Sequence, residues 1–131
     1  IESYFDEPAA AAPTGKYFLQ LVHAGIHNLT VANISIKNSN LHGFGRGVLR
    51  ADNGTNIAVI THLTIENSVL WDNGRNSVGY STLGMKTAKI SNATISNTVF
   101  YDSPNGTWNA EQTATPIAFT MQNCAFIKTT T

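Results

Sequence analysis

Apolar and polar residues alternate in several short segments of the chain. Ile34 and Ile36 flank one polar residue, and the same spacing recurs at Leu63 and Ile65. Alternation of this kind predicts β-strands with one buried face, because successive side chains of a strand point to opposite faces. No segment carries a convincing apolar run at helical spacing. The hydrophobic pattern therefore predicts an all-β protein.

Four of these segments superpose as copies of one repeat. The second apolar residue of each copy serves as its anchor, at Ile36, Ile65, Ile95 and Met121. The anchors follow one another at spacings of 29, 30 and 26 residues. Five residues after each anchor stands another apolar residue, at Leu41, Leu70, Phe100 and Phe126. A recurring period in this range indicates a repeat architecture, in which each unit buries its apolar face against its neighbours.

An asparagine stands two residues after every anchor, at Asn38, Asn67, Asn97 and Asn123. Asparagine tolerates the left-handed backbone conformation that tight corners require. Stacked parallel strands lie about 4.8 Å apart, so identical amides at one register can hydrogen-bond along the stack. The register therefore predicts an asparagine ladder, in which each bond contributes about 1 kcal/mol.

Other β-repeat architectures fit this pattern less well. A propeller blade needs some forty residues, and a leucine-rich repeat would show a leucine consensus. An antiparallel sandwich would not need an in-register asparagine. The sequence therefore predicts a right-handed, single-stranded parallel β-helix, a solenoid of about four coils.

Composition narrows the range of partners. The chain has 131 residues, of which 12% are charged, and its eight basic residues balance eight acidic ones. A neutral chain has no general attraction for nucleic acid or an anionic membrane, so neither partner is expected. No apolar run approaches the ~20 residues that span a bilayer, so no membrane insertion is expected. The single cysteine, Cys124, excludes an internal disulfide framework.

An asparagine ladder after a short alternating strand resembles the pectin-lyase-like superfamily of right-handed parallel β-helices. More narrowly, the segments 45–50, 69–73 and 97–102 resemble β-helix domains of secreted bacterial proteins that accompany polysaccharide-degrading systems. The resemblance covers roughly residues 17 to 127. It implies a secreted, cell-surface or periplasmic protein, and it specifies a fold better than a chemistry.

The resemblance also implies an assignment of segments to sheets and loops. The third sheet would hold 39–42, 68–71 and 98–101, and the first sheet 17–22, 48–51 and 78–83. Variable loops would cover 43–46, 72–76 and 102–109. Residues 1–16 read as a linker or N-terminal cap, and 17–131 as the β-helix domain. Because both ends of such a stack expose core, we expect neighbouring domains or coils of a longer chain as partners.

In this family, sugar polymers lie along the groove formed by the first sheet and the variable loops. His42, Trp71 and Tyr101 each follow a buried position and should point outward. A row of flat rings would suit pyranose faces. The alternative is that these rings pack under the adjacent loops.

Three arginines add a charged component to this predicted site. Arg46 and Arg75 share one register, and Arg50 should lie nearby on the first sheet. Guanidinium groups suit the carboxylates or sulfates of an acidic glycan. The alternative is that they pair on the surface with Asp52, Asp72 and Asp102. The candidate ligand-binding residues are Arg46, Arg50, Trp71, Asp72, Arg75, Tyr80, Tyr101 and Asp102.

The resemblance leaves catalysis open. Lyases of the family hold the substrate carboxylate with calcium or with basic residues, and use Arg or Lys as the base. Asp72, Asp102, Arg75 and Lys86 are the groups available here. Calcium takes six to eight oxygens and no dense acidic cluster is present, so we predict no metal or other cofactor and assign no catalytic residue.

Three functions remain from the sequence. The first is a non-catalytic module that binds or presents polysaccharide, with an acidic glycan favoured. The second is a structural spacer or adhesin-like stalk, and the third is a polysaccharide lyase or glycoside hydrolase. A binding module predicts that the rings and arginines share one groove. A spacer predicts that they are paired or covered, and an enzyme predicts convergent groups with perturbed pKa values.

Overall fold

The computed structural model describes residues 2–4, 17–21, 29–51, 58–75, 81–84, 88–109 and 118–128. Within these residues the chain forms thirteen β-strands and no helix. The strands make three sheets, and every pairing between neighbouring strands is parallel. The predicted all-β class is confirmed.

The three sheets are named here A, B and C. Sheet A contains β1 (Glu2–Tyr4), β4 (Asn40–His42), β7 (Val69–Trp71), β10 (Val99–Tyr101) and β13 (Ala125–Ile127). Sheet B contains β2 (Tyr17–Leu21), β5 (Gly47–Ala51), β8 (Leu83–Gly84) and β11 (Trp108–Asn109). Sheet C contains β3 (Leu29–Lys37), β6 (Ala58–Glu66), β9 (Ala88–Ser96) and β12 (Ala118–Gln122).

The chain visits the sheets in the cyclic order A, B, C. Each return to a sheet places the new strand beside the strand of the preceding repeat. The predicted register is confirmed, because Ile36 pairs with Ile65, Ile65 with Ile95, and Ile95 with Met121. Equivalent residues of successive repeats therefore lie directly above one another in every sheet.

Alternation along the strands separates the core from the surface. In β6, Leu63 and Ile65 are fully buried while Thr64 between them is partly exposed. In sheet A the middle residues Leu41, Leu70 and Phe100 are buried. Full burial of an aliphatic or phenyl side chain contributes about 1.5–3 kcal/mol. The repeats are therefore held together mainly by these columns of equivalent apolar residues.

Two corners bracket each short strand of sheet A. Before the strand stands the repeated asparagine, with φ values of 50°, 49°, 49° and 52° at Asn38, Asn67, Asn97 and Asn123. After it stands a second left-handed position, occupied by Gly43, Asp72, Asp102 and Lys128. Left-handed residues thus stand at both ends of β4, β7, β10 and β13, each of which is three residues long.

Several boundaries differ from the assignment implied by the resemblance. In the predicted strand 78–83, Ser81 and Thr82 precede a two-residue strand, Leu83–Gly84. The predicted loop 102–109 ends in a strand, Trp108–Asn109, which pairs with β8. Within 1–16, Glu2–Tyr4 pairs with β4. Residues 76–80 and 5–16 lie outside the described residues.

Candidate functional site

The carboxyl ends of the central strands of sheet A carry most of the predicted ligand-binding residues. This surface comprises the last residue of each central strand and the turn that follows. We call this surface the outer strip, defined as His42, Trp71, Asp72, Arg75, Tyr101 and Asp102. Parallel pairing brings these residues together, because His42 pairs with Trp71 and Trp71 with Tyr101. His42, Trp71 and Tyr101 are each partly buried.

The rings of His42 and Trp71 stack on each other. Their centroids are 4.0 Å apart and their planes differ by 14°. The indole Nε1 of Trp71 donates a hydrogen bond of 2.9 Å to Oδ1 of Asn40 in the preceding repeat. Each of these two rings therefore covers one face of the other.

A charge network links two successive repeats next to the rings. Arg75 donates from its Nη2 to Oδ2 of Asp102 at 2.7 Å, and from its Nε to Oδ1 of Asp72. The side chains retain relative exposures of 44%, 31% and 32% for Arg75, Asp102 and Asp72. The hydrogen bond from Arg75 to Asp72 raises the pKa of the guanidinium above its ordinary value, and attraction to both carboxylates adds to that rise. With one cation and two anions, the network carries a formal charge of −1.

Backbone conformation positions both carboxylates. Asp72 and Asp102 adopt φ values of 53° and 49°, and their amides donate to the carbonyl oxygens of Tyr101 and Ile127 in the next repeat. Sheet A hydrogen bonding thus continues through the corner. The two carboxylates consequently leave the sheet at the same register, where one arginine reaches both.

Asn73 is a structural residue of this site that the sequence analysis placed only within the variable loop 72–76. Its side chain is fully buried. Its Nδ2 donates to the Leu41 carbonyl at 3.0 Å, and its Oδ1 accepts from the Phe44 amide at 3.1 Å. Asn73 therefore fastens the turn that carries Asp72 and Arg75 to the preceding repeat. The Asn-Gly pair at 73–74 was the available signal, but a sequence cannot show that the amide is buried.

Arg50 and Arg46 do not belong to the outer strip. Arg50 lies on β5 in sheet B, where it donates to the hydroxyl of Tyr17 and stands 5.3 Å from that ring's centroid. Arg46 is partly buried in the turn between β4 and β5. At the other end of the strip, the Lys128 ammonium lies 5.7 Å from the Tyr101 ring centroid. Tyr80, Asp52 and Lys86 lie outside the described residues.

The repeated asparagines form bonds in both directions along the stack. Asn97 donates from Nδ2 to Oδ1 of Asn67 at 3.1 Å, and Asn123 donates to Oδ1 of Asn97 at 3.2 Å. The backbone amides point the other way, since Asn67 N donates to the Ser96 carbonyl and Asn97 N to that of Gln122. These side chains are exposed. Asn97 therefore bonds to the preceding repeat through its side chain and to the following one through its backbone.

The described residues contain no group of three or more His, Cys, Asp or Glu side chains that could hold a metal ion. In the same part of the chain, no helix has the length and apolar character that a membrane crossing requires.

Comparison with known proteins adds no family to this description. No protein-family model matches the chain, and no curated protein matches it in sequence.

Proposed function

We propose that the chain is a right-handed parallel β-helix module that binds polysaccharide without catalysis, in a secreted, cell-surface or periplasmic protein. Support for the β-helix comes from the cyclic order of the strands and from the parallel, in-register pairing of successive repeats. A right-handed path is the usual one between parallel strands of a sheet. Support for the binding role comes from the outer strip.

The observation that carries the binding proposal is the charge network beside the rings. Arg75, Asp72 and Asp102 fix one another, yet each keeps about a third or more of its side chain exposed. A carboxylate has about four acceptor sites, so these pairs leave acceptors for further donors. Such a network holds its hydrogen-bonding groups in one geometry, which lowers the entropy cost of binding. Sugar hydroxyls, which both donate and accept, fit this set.

The charge of the network favours a neutral glycan. The sequence analysis favoured an acidic glycan because of the arginines, with their pairing to aspartates as the alternative. With two carboxylates around Arg75 and the Lys128 ammonium beside Tyr101, the formal charges cancel, so this surface has no net positive charge to attract carboxylated or sulfated polymers. The partly exposed rings of Trp71 and Tyr101, next to the network, offer apolar contact to the C–H faces of neutral sugars.

The same network argues against Arg75 as a catalytic base. A base must lose its proton near the working pH. The raised pKa of Arg75 keeps the guanidinium protonated across the whole range in which proteins work. Arg75 is therefore suited to binding and positioning.

The test is affinity electrophoresis on neutral and acidic polysaccharides, with absorbance of unsaturated uronates followed in parallel. We expect retention by a neutral polymer, weakened at least about tenfold in Arg75→Ala, the ratio that about 1.4 kcal/mol produces. Thr94→Ala, an exposed position on sheet C, is the matched control and should retain full affinity. Retention by acidic polymers alone would contradict the preference for a neutral glycan. The appearance of unsaturated-uronate absorbance would show that the protein is a lyase.

A structural spacer is the second candidate. It is favoured by the fact that the contacts of the strip join repeats, since Trp71 bonds to Asn40 and Arg75 to Asp102. On this alternative, Arg75→Ala and Trp71→Ala lower stability while no polymer in the panel retains the protein. Unfolding curves for the same variants therefore separate the two candidates.

A further inference from the structure

Two asparagine–glycine pairs lie in the turns that follow strands of sheet A, at 73–74 and 105–106. Each pair comes after the left-handed aspartate of its repeat, Asp72 or Asp102. In such a pair the backbone nitrogen of the glycine can attack the carboxamide carbon of the asparagine, because glycine has no Cβ to hinder the approach. The two pairs share this chemistry, but their surroundings differ.

The pair at 73–74 is held by three hydrogen bonds. The Asn73 side chain is fully buried, its Nδ2 donates to the Leu41 carbonyl, and its Oδ1 accepts from the Phe44 amide. The attacking atom is bound as well, since Gly74 N donates to the Phe44 carbonyl at 2.9 Å. Reaction here requires all three bonds to open and water to reach a buried group. The fold therefore protects Asn73.

The pair at 105–106 is less restrained. Asn105 is partly buried, and its carboxamide makes one hydrogen bond with the described residues, from Nδ2 to the Gly74 carbonyl at 2.6 Å. Gly106 N donates to the Ser103 carbonyl at 3.2 Å. A Cβ placed on Gly106 would meet no atom within 4 Å, so the turn is open on that side. Among the described contacts, two hydrogen bonds oppose reaction here, against three bonds and full burial at Asn73.

From this contrast we propose that Asn105 is a site of spontaneous deamidation in the folded protein, whereas Asn73 is protected. Gly106 N forms a bond to Cγ of Asn105, the Cγ–Nδ2 bond breaks, and the departing amino group takes the Gly106 amide proton and leaves as ammonia. The product is a cyclic succinimide. Water then opens this ring at either carbonyl, which gives aspartate or isoaspartate, and no oxidant or reductant is involved.

Deamidation changes the contact between two successive turns. The Nδ2 donor that bonds to the Gly74 carbonyl is lost, and a carboxylate, which only accepts, takes its place. Gly74 belongs to the turn that carries Asp72 and Arg75, so the reaction adds one negative charge beside the charge network. The inference rests on hydrogen bonds and burial, and it is independent of glycan binding.

The experiment follows both asparagines in one sample. The folded protein is kept in warm, mildly alkaline buffer made with heavy-oxygen water, digested at intervals in ordinary water, and mapped by mass spectrometry. Uptake of heavy oxygen marks the conversion that occurs before digestion. We expect conversion at Asn105 to be at least about tenfold faster than at Asn73, because reaction at Asn73 requires one more hydrogen bond to open and a buried amide to become exposed.

The same measurement in concentrated urea is the matched control. Both pairs are then free of the fold, so we expect the difference between their rates to disappear. Asn105→Gln keeps an amide at this position, and it should show no conversion there, because the longer side chain has to close a larger and less favourable ring.

Two results would overturn the proposal. One is equal conversion of Asn73 and Asn105 in the folded protein. The other is an Asn105 that reacts in urea but stays intact in the folded protein over the same period. The peptide that carries Asn53 and Gly54, which lie outside the described residues, is mapped separately and does not enter the comparison.

Discussion

At the scale of single residues, the corners of sheet A use left-handed backbone wherever the chain turns. Asparagine fills one corner in all four repeats, whereas the other holds Gly43, two aspartates and Lys128. Left-handed backbone costs an ordinary residue roughly 1–2 kcal/mol, and Asn or Asp reduces this cost by local hydrogen bonding. The amide also bonds to the preceding repeat. Asparagine at this register therefore has two separable roles.

Substitution of Asn97 separates them. Asn97→Gly keeps the left-handed conformation and loses the two amide bonds, so we expect a loss of about 2 kcal/mol in the free energy of unfolding. Asn97→Ala also loses the conformational tolerance, and the loss should be about 3–4 kcal/mol. Urea unfolding of the two variants measures both values. Equal losses would mean that the corner conformation contributes nothing at this position.

At the scale of the elements, β5 of sheet B approaches the segment before β8 closely at a glycine. Gly47 begins β5 with φ of 118°, and a Cβ added there would lie 2.2 Å from the Ser81 carbonyl oxygen. Both Val48 N and Leu49 N bond to the Thr82 carbonyl, at 2.7 Å and 3.2 Å. The short strand β8 is thus held against β5 only because Gly47 has no side chain.

A pair of glycine variants tests this packing. Gly106 has φ of 92°, but a Cβ there would meet nothing within 4 Å. Gly106→Ala should therefore cost only the conformational strain, about 1–2 kcal/mol. Gly47→Ala adds a collision with backbone, and we expect a loss at least about 2 kcal/mol larger. Thermal unfolding compares them, and similar losses would show that β5 and β8 separate without cost.

The elements also show what the sequence could and could not predict. The register of Ile36, Ile65 and Ile95 was predictable, because the alternation of sheet C is long and each anchor is followed by the same asparagine. The short strands of sheet B were not, since Leu83–Gly84 and Trp108–Asn109 are too brief to show periodicity. Trp108 packs edge-on against Phe119, with centroids 5.3 Å apart, which a pattern of residues cannot reveal.

For the candidate site, the sequence left ligand binding and pairing with aspartates open for the arginines, and in the structure Arg75 pairs with Asp72 and Asp102. The common register of Trp71 and Tyr101 followed from the repeat. Arg75 pairs with both aspartates because the left-handed corners at Asp72 and Asp102 bring the two carboxylates within its reach. The sequence does not show this geometry. The stacking of His42 on Trp71 likewise depends on side-chain rotation.

At the scale of the whole molecule, the two ends of the stack differ. Ile34 and Ile36 on the first strand of sheet C are 7% and 6% exposed, while Phe119 and Met121 on its last described strand are 44% and 39% exposed. Stability of a repeat protein is approximately a sum of repeats and their interfaces, so the least covered repeat opens first. We expect amide hydrogen exchange to be fastest in β12 and β13 and slowest in β6 and β9. Uniform exchange along the four sheet C strands would contradict this order.

The cyclic order of the strands also has a mechanical consequence. Each repeat holds about thirty residues within a single strand spacing of about 4.8 Å. The same residues drawn straight reach about 100 Å, at roughly 3.3–3.6 Å per residue. A pull on the two ends therefore peels repeats away one after another, and each release adds slack some twenty times longer than the height it removes. Under a sustained pull, such a protein is expected to lengthen in steps, each step being the unfolding of one repeat while the remaining repeats stay folded.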